Sequence, residues 1–199
     1  MGLTPLPPDH LATLVTSLEM RARPKPAPLP EAPLVLVRWK QPSPAKYRAL
    51  FTRVGSPWLW FSRLAMSDAD LMDIIHHDDV MIWAVCDRAG IEVGILELDF
   101  RVAGECEISF FGLVPELMGK GYGRWLMAQA MAAAWRPGVS RVWLHSCTLD
   151  APSALNFYIK SGFVPFARAI ESFADPRLTG LLPESAGPHV PLLRVDSSR

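Results

Sequence analysis

The sequence predicts an α+β domain, a mixed but mostly antiparallel sheet flanked by helices, and three observations carry that prediction. Three consecutive apolar runs, Val80–Cys86, Ile91–Phe100 and Glu105–Val114, are joined by the short turns Asp87-Arg-Ala-Gly90 and Val102-Ala-Gly-Glu105, the pattern of an antiparallel meander. The third run leads through a glycine-rich loop into a helical stretch, Trp125–Trp135, and on to another apolar run, Arg141–Cys147, which reads as a parallel crossover. Half of the 199 residues are apolar and one fifth are charged, enough for a sizeable core.

The remaining elements follow in order. Leu11, Leu14, Val15 and Leu18 recur at helical spacing, so residues 8–21 read as a short amphipathic helix. Pro24, Pro26, Pro28, Pro30 and Pro33 make 23–33 an extended linker. Leu34–Trp39 is a strand, and Ser43-Pro44 starts a helix running to about Val54, because serine caps and proline suits the first turn. Ser67-Asp-Ala-Asp70 caps a further helix that ends near His76 and His77. Arg136-Pro-Gly138 stops the helix after the loop. Asp150-Ala-Pro-Ser153 opens another helix that ends at Gly162, and Phe163-Val-Pro-Phe166 begins the last strand. The expected organisation is an N-terminal helix and linker over 1–33, a domain over 34–170 and an irregular extension over 171–199.

Lys plus Arg equals Asp plus Glu at 20 each, so no basic field exists to attract nucleic acid or an anionic membrane. No apolar run has the length of a membrane span. The N-terminus lacks the pattern of a secretory signal. Cys86, Cys106 and Cys147 lie in apolar runs without a C-x-x-C pair, which suits buried thiols and a cytoplasmic setting. His76-His77-Asp78-Asp79 is contiguous, so its side chains do not converge, and no metal site is expected.

The chemistry concentrates in Met118-Gly-Lys-Gly-Tyr-Gly-Arg124, between a strand and a helix. Such a loop aims several backbone N–H groups, and the positive end of the helix dipole, at one point, which suits a phosphate. The P-loop pattern fails, because Gly119-Lys120 is followed by Gly121 rather than Ser or Thr. The dinucleotide fingerprint fits poorly, because the glycine spacing differs and three antiparallel strands come first. Met118–Gly123 and the later Ala154-Leu-Asn-Phe-Tyr-Ile-Lys-Ser-Gly-Phe163 together resemble the two hallmark motifs of the GCN5-related N-acetyltransferase (GNAT) superfamily, over roughly 34–170. The sequence departs from that pattern at Met118, where the loop usually has Gln or Arg, and at Ala151, where an Asn is usual.

The resemblance implies a three-layer α/β/α fold and an acetyl-CoA-dependent N-acetyltransferase acting on a primary amine by direct attack in a ternary complex. It implies that Met118, Gly119, Lys120, Gly121, Tyr122, Gly123 and Arg124 surround the pyrophosphate, with Lys120 or Arg124 available to a phosphate. It places a strand bulge and a thioester donor at Leu113 and Val114. Ser153 and Asn156 are candidates for polar contact with the pantetheine arm, Ser153 also suiting a helix cap. Tyr158 is the candidate general acid, since a phenol stays protonated at neutral pH. Glu107 is the first candidate for the base and Glu97 the second. Alternation puts Glu105, Glu107, Ser109, Phe111 and Leu113 on one face, and a desolvated carboxylate near aromatic residues suits proton abstraction. His145 is a third option that reads better as a core histidine. Trp58, Trp60 and Phe61 read as core or as acceptor-pocket walls. A non-catalytic CoA-binding module on the same fold is the alternative, and an unrelated interaction protein a more distant one. A homodimer is compatible with the class. The acceptor's identity is not readable.

Overall fold

The computed structural model describes residues 2–25, 28 and 30–194; Met1, three linker positions (26, 27 and 29) and the end of the expected C-terminal extension (195–199) lie outside the described residues. Seven strands form one sheet: β1 (His10–Met20), β2 (Val35–Trp39), β3 (Val80–Cys86), β4 (Glu92–Asp99), β5 (Glu105–Leu113), β6 (Arg141–Cys147) and β7 (Val164–Ala174). Their spatial order is β2-β3-β4-β5-β6-β1-β7, and every neighbouring pair is antiparallel except β5 with β6. The helices are α1 (Pro44–Gly55), α2 (Asp68–Ile75), α3 (Tyr122–Ala134) and α4 (Ala154–Lys160). None is long and apolar enough to cross a membrane. Ser43 and Ser67 cap α1 and α2 through their side chains, as their sequence contexts require.

β4 is buried at every position from Val93 to Asp99, so both alternating sets of side chains are covered and helices lie on both faces. α1 packs on the face that carries Ile95 and Glu97, through the contact of Tyr47 with Glu97, and α3 packs on β4 and β5 from the other. The result is the mixed, mostly antiparallel α+β sandwich expected.

The N-terminal segment departs from expectation: residues 10–20 are a strand, not a helix. Strand β1 lies between β6 and β7, which supply its amides with partners on both sides. Its buried positions are Thr13, Thr16, Leu18 and Met20, an alternating set after Thr16, while Leu14, central to the helical reading, is 41% exposed. Two open strand edges and the β-branched Thr13, Val15 and Thr16 outweigh a helical spacing of four apolar residues. Thr13 Oγ1 lies 2.8 Å from Thr148 Oγ1, which fixes the strand's end. The sheet also takes in residues 171–174, expected to be irregular, at the end of β7.

Two irregularities shape the sheet's centre. The β4–β5 register slips between the pairs Glu97↔Phe110 and Leu98↔Ile108, leaving Ser109 as the extra residue of a bulge. The bulge therefore sits upstream of Leu113 and Val114, where it was expected. It also inverts the alternation: Glu107 pairs with Asp99 and Phe110 with Glu97, so they share a face, while Phe111 and Leu113 fall on the opposite one. The second irregularity is the parallel pairing of β5 with β6, which covers only Glu105–Glu107 against Arg141–Trp143. Beyond it the strands diverge and open a wedge.

The strand reading of β1 is testable by stability. Leu18 is fully buried, so Leu18→Ala costs about 3 kcal/mol, whereas Leu14→Ala costs under about 1 kcal/mol, both read by urea denaturation. Equal losses at the two positions would contradict the burial pattern.

Candidate active site

The glycine loop closes one side of the wedge. Met118 N–H bonds back to the Pro115 carbonyl and Arg124 N–H to the Gly121 carbonyl, so both ends of the loop are tied locally. Between them the amides of Gly119, Lys120, Gly121, Tyr122 and Gly123 have no acceptor among the described residues. Gly119 (φ 73°) and Gly121 (φ 82°) both occupy the left-handed region, which lets the chain turn and line up these donors at the start of α3. No acidic side chain stands in the first turn of α3 to take them.

A groove of about 470 Å³ runs from this loop between β5 and α4. Leu113, Met118, Gly119, Gly121, Gly123, Arg124, Ser153 and Asn156 line it, and Lys120, Tyr122 and Val114 do not. Val114 is excluded for a further reason: its N–H bonds to the Val93 carbonyl at 2.9 Å and is not free for a ligand. Strand alternation then turns the N–H of Gly112 toward β4, and those of Phe111 and Leu113 toward the wedge. Ser153 occupies the residue before α4 but makes no capping bond, so its hydroxyl is open to the groove. Lys160 and Ser161, unremarked in the sequence, complete the groove's far end.

On the other side of the diverging strands lies a cavity of about 420 Å³. Its walls include Ile108–Phe111 of β5, and Leu144, His145 and Cys147 of β6. Trp58, Trp60 and Phe61 also line it, and Trp60 at the same time packs into the core against Phe51 (5.6 Å) and Phe110 (5.2 Å). The aromatic group thus contributes to the core and to the wall of a cavity at once. Glu107 faces the cavity, with Oε1 3.6 Å from His145 Nδ1. His145 is not a core residue: its side chain is half exposed. The Glu107 carboxylate holds the imidazole pKa above its ordinary value against the opposing effect of burial, with smaller contributions from Asp150 and Glu171.

Tyr158 lines both the groove and the cavity. It is 9% exposed, and its hydroxyl has no hydrogen-bond partner among the described residues. Phe111, Phe157 and Phe163 surround its ring at 5.5 to 6.4 Å. Burial pushes the phenol pKa up, and the negative charge of Asp150 adds to this, so the hydroxyl keeps its proton at neutral pH.

Glu97 does not reach the cavity as expected. It is fully buried, accepts from the Tyr47 hydroxyl at 2.5 Å, and pairs with Arg63 Nη2 at 2.6 Å. Both oxygens are occupied, so it stands behind the wall rather than in it. Arg63, which does line the cavity, also sits over the Phe110 ring at 5.2 Å. Sequence reasoning missed Arg63, which is far from the motifs, and Asp150 and Glu171, which flank the second motif without belonging to it. Asp150 accepts from Ser146 Oγ (2.8 Å), Cys147 N–H (3.0 Å) and Trp60 Nε1 (3.4 Å). Its position just before the second motif was the available signal.

The C-terminal segment after β7 supports the cavity from outside. Buried Arg177 donates to Asp175 (Nη2–Oδ2 2.6 Å) and to the Val190 carbonyl (2.7 Å), which folds the segment back on itself. Leu182 and Ala186 then pack on Leu59 and Leu149, Gly187 N–H bonds to the Ser56 carbonyl at 3.2 Å, and His189 Nε2 lies 3.0 Å from the Leu149 carbonyl. These contacts hold the 56–61 turn, and with it the aromatic wall, in place.

The Glu107–His145 contact predicts a titration. The His145 imidazole, followed by NMR, loses its proton above the ordinary histidine value of about 6.5. In Glu107→Gln that midpoint moves down, because the carboxylate that favours the charged ring is gone; an unmoved midpoint would separate the two residues.

No curated protein sequence matches this chain. Among solved structures, it resembles a functionally unknown conserved protein from Staphylococcus epidermidis, at TM-score 0.58 and 14% identity, over 83% of this chain and 63% of that one. It resembles a GCN5-related N-acetyltransferase from Sphaerobacter thermophilus at TM-score 0.56 and 19% identity, over 81% of this chain and 51% of that one. A putative GNAT-family acetyltransferase from Novosphingobium aromaticivorans aligns at TM-score 0.52 and 18% identity, over 86% and 69%. The chain spans less than two thirds of the length of the first two proteins. At these identities the likeness is one of fold. The sequence itself matches the model of the acetyltransferase (GNAT) family over residues 47–163, from α1 through both motifs. With the loop, groove and wedge in place, the chain belongs to the acetyltransferase (GNAT) family, whose members use acetyl-CoA as cosubstrate.

Proposed function

We propose that this protein is an acetyl-CoA-dependent N-acetyltransferase that passes the acetyl group directly to a primary amine. The observation that carries this reading is the meeting of two cavities at one tyrosine: the glycine-loop groove and the acidic, aromatic-walled cavity share Phe111, Ala151, Ala154 and Tyr158. Two substrates entering from opposite sides of the wedge would meet there without a covalent enzyme intermediate.

In this reading the amides of Gly119–Gly123 receive the pyrophosphate, and Arg124, on the groove wall, pairs with a phosphate oxygen. The Leu113 N–H, turned toward the wedge, polarises the thioester carbonyl. Ser153 and Asn156 offer polar contacts along the groove. Glu107 and His145, acting as a pair, take the proton that the acceptor ammonium must lose. The amine nitrogen then bonds to the acetyl carbon, the carbon–sulfur bond breaks, Tyr158 gives its proton to the departing sulfur, and the nitrogen releases its second proton to solvent to leave the amide. Its protonated hydroxyl, on a side chain that lines both cavities, suits that role, and solvent in the cavity restores the proton. Lys120 and Tyr122 contribute through their backbone amides only.

Tyr158→Phe is expected to lower kcat by about a hundredfold or more while leaving acetyl-CoA affinity nearly intact, because the donated proton helps mainly in the transition state. Free-thiol release and calorimetry read the two quantities. Full turnover in the variant, with chemistry shown to limit the rate, would remove Tyr158 from the role. In the wild type, tight cofactor binding without turnover on a wide amine panel would point to a binding module instead. Gly121→Val puts a β-branched residue at φ 82° and is expected to weaken CoA binding at least tenfold, or about 1.4 kcal/mol; normal binding would detach the loop from the cofactor.

A further inference from the structure

The acceptor cavity carries more negative than positive charge, and the surplus has a location. Asp99 is closed on Arg101 (Nη2–Oδ2 2.6 Å), and Arg63 is matched by Glu97 behind it. Glu107 faces His145. Two carboxylates remain without a cation. Asp150 accepts only from the neutral donors of Ser146, Cys147 and Trp60, and Glu171, exposed on β7, has no cationic partner among the described residues.

A second feature of the same cavity also selects for positive charge. Trp58, Trp60, Phe61 and Phe173 present aromatic rings to it, with Phe61 and Phe173 4.5 Å apart. An aromatic face attracts a cation, more so when partly desolvated. A third feature fixes where the reaction occurs: Tyr158, 9% exposed as a residue and with no hydrogen-bond partner for its hydroxyl among the described residues, marks the reacting end of the cavity. One amine must be uncharged there to react, and the Glu107–His145 pair serves that amine. Asp150 and Glu171 act on His145 and Tyr158 only through their field and form no ion pair with a described residue, which leaves both carboxylates open to a group that keeps its charge.

Resting on the acetyl-transfer reading above, we infer that the acceptor is a diamine or oligoamine, whose non-reacting ammonium lies between Asp150, Glu171 and the aromatic wall.

Four matched probes test this: 1,5-diaminopentane, pentylamine, 5-aminopentanol and 5-aminopentanoate, each with saturating acetyl-CoA, followed by thiol release. The diamine is expected to exceed pentylamine and the amino alcohol in kcat/KM by about tenfold or more, with the amino acid the slowest. Added salt should narrow the diamine-to-pentylamine ratio, and Glu171→Gln should shrink it by roughly fivefold, the scale of one exposed ion pair. Pentylamine or 5-aminopentanoate matching the diamine would overturn the acceptor class while leaving acetyl transfer standing. Thiol release from none of the four, despite acetyl-CoA binding by calorimetry, would overturn the transfer reading. In that case diamine binding to CoA-loaded protein, measured by the same method, decides the class alone, and absence of binding would sink it.

Discussion

The short parallel contact between β5 and β6 is the constraint on which the rest of the structure depends. The two strands pair over Glu105–Glu107 and then part. A continuous sheet would have used the Phe111 and Leu113 amides internally; the divergence leaves them facing a gap. It also separates two chambers that remain joined at Tyr158. Strand β6 keeps its other partner, β1, to its end at Cys147, so the divergence is confined to one side. The wedge is therefore a property of the sheet and needs no moving part.

Buried polar and aromatic groups stabilise that opening. The Ser109 bulge turns Phe110 into the layer of Phe51 and Trp60, at ring separations of 4.8 and 5.2 Å. Beneath it, Glu97 joins Tyr47 of α1 to Arg63 of the segment before α2. A carboxylate buried this completely is tolerable only because both oxygens receive strong donors. Deprived of Arg63 it would leave an uncompensated charge in the core, and deprived of Tyr47 an unpaired carboxylate oxygen. Glu97 thus acts on the aromatic-walled cavity indirectly, by fixing the Arg63 side chain that lines it.

Local sequence features were good guides to local structure and poor guides to pairing. The meander, the serine caps of α1 and α2, the loop before α3 and the tyrosine of α4 are each specified by residues a few positions apart. The fate of residues 10–20 is not: their apolar spacing fits a helix, and only β6 and β7, more than a hundred residues away, make a strand there. The same applies to Glu97 and Glu107. Simple alternation assigned Glu107 to the face of Phe111 and Leu113, and one bulged residue reversed it. Glu97 looked free because Tyr47 and Arg63, which occupy it, are distant in sequence. Asp150 and Glu171 escaped notice because an acid's partners, or lack of them, appear only in three dimensions. Where a motif relies on backbone groups, as the glycine loop does, sequence says much more than where side chains from separate elements converge.

The placement of β1 has a consequence for biosynthesis. The strand nearest the N-terminus is an interior strand, and both of its neighbours, β6 and β7, are translated long after it. At ribosomal rates of about 5–20 residues per second, its two edges wait roughly six to thirty seconds for native partners. The meander and the loop-to-α3 unit have no such delay, since their contacts are close in sequence. One half of the sheet can therefore assemble as the chain emerges, while the half that completes the aromatic-walled cavity is bound to form after synthesis has passed β7, which makes the exposed strand β1 the point where a nascent chain would most need shielding from aggregation.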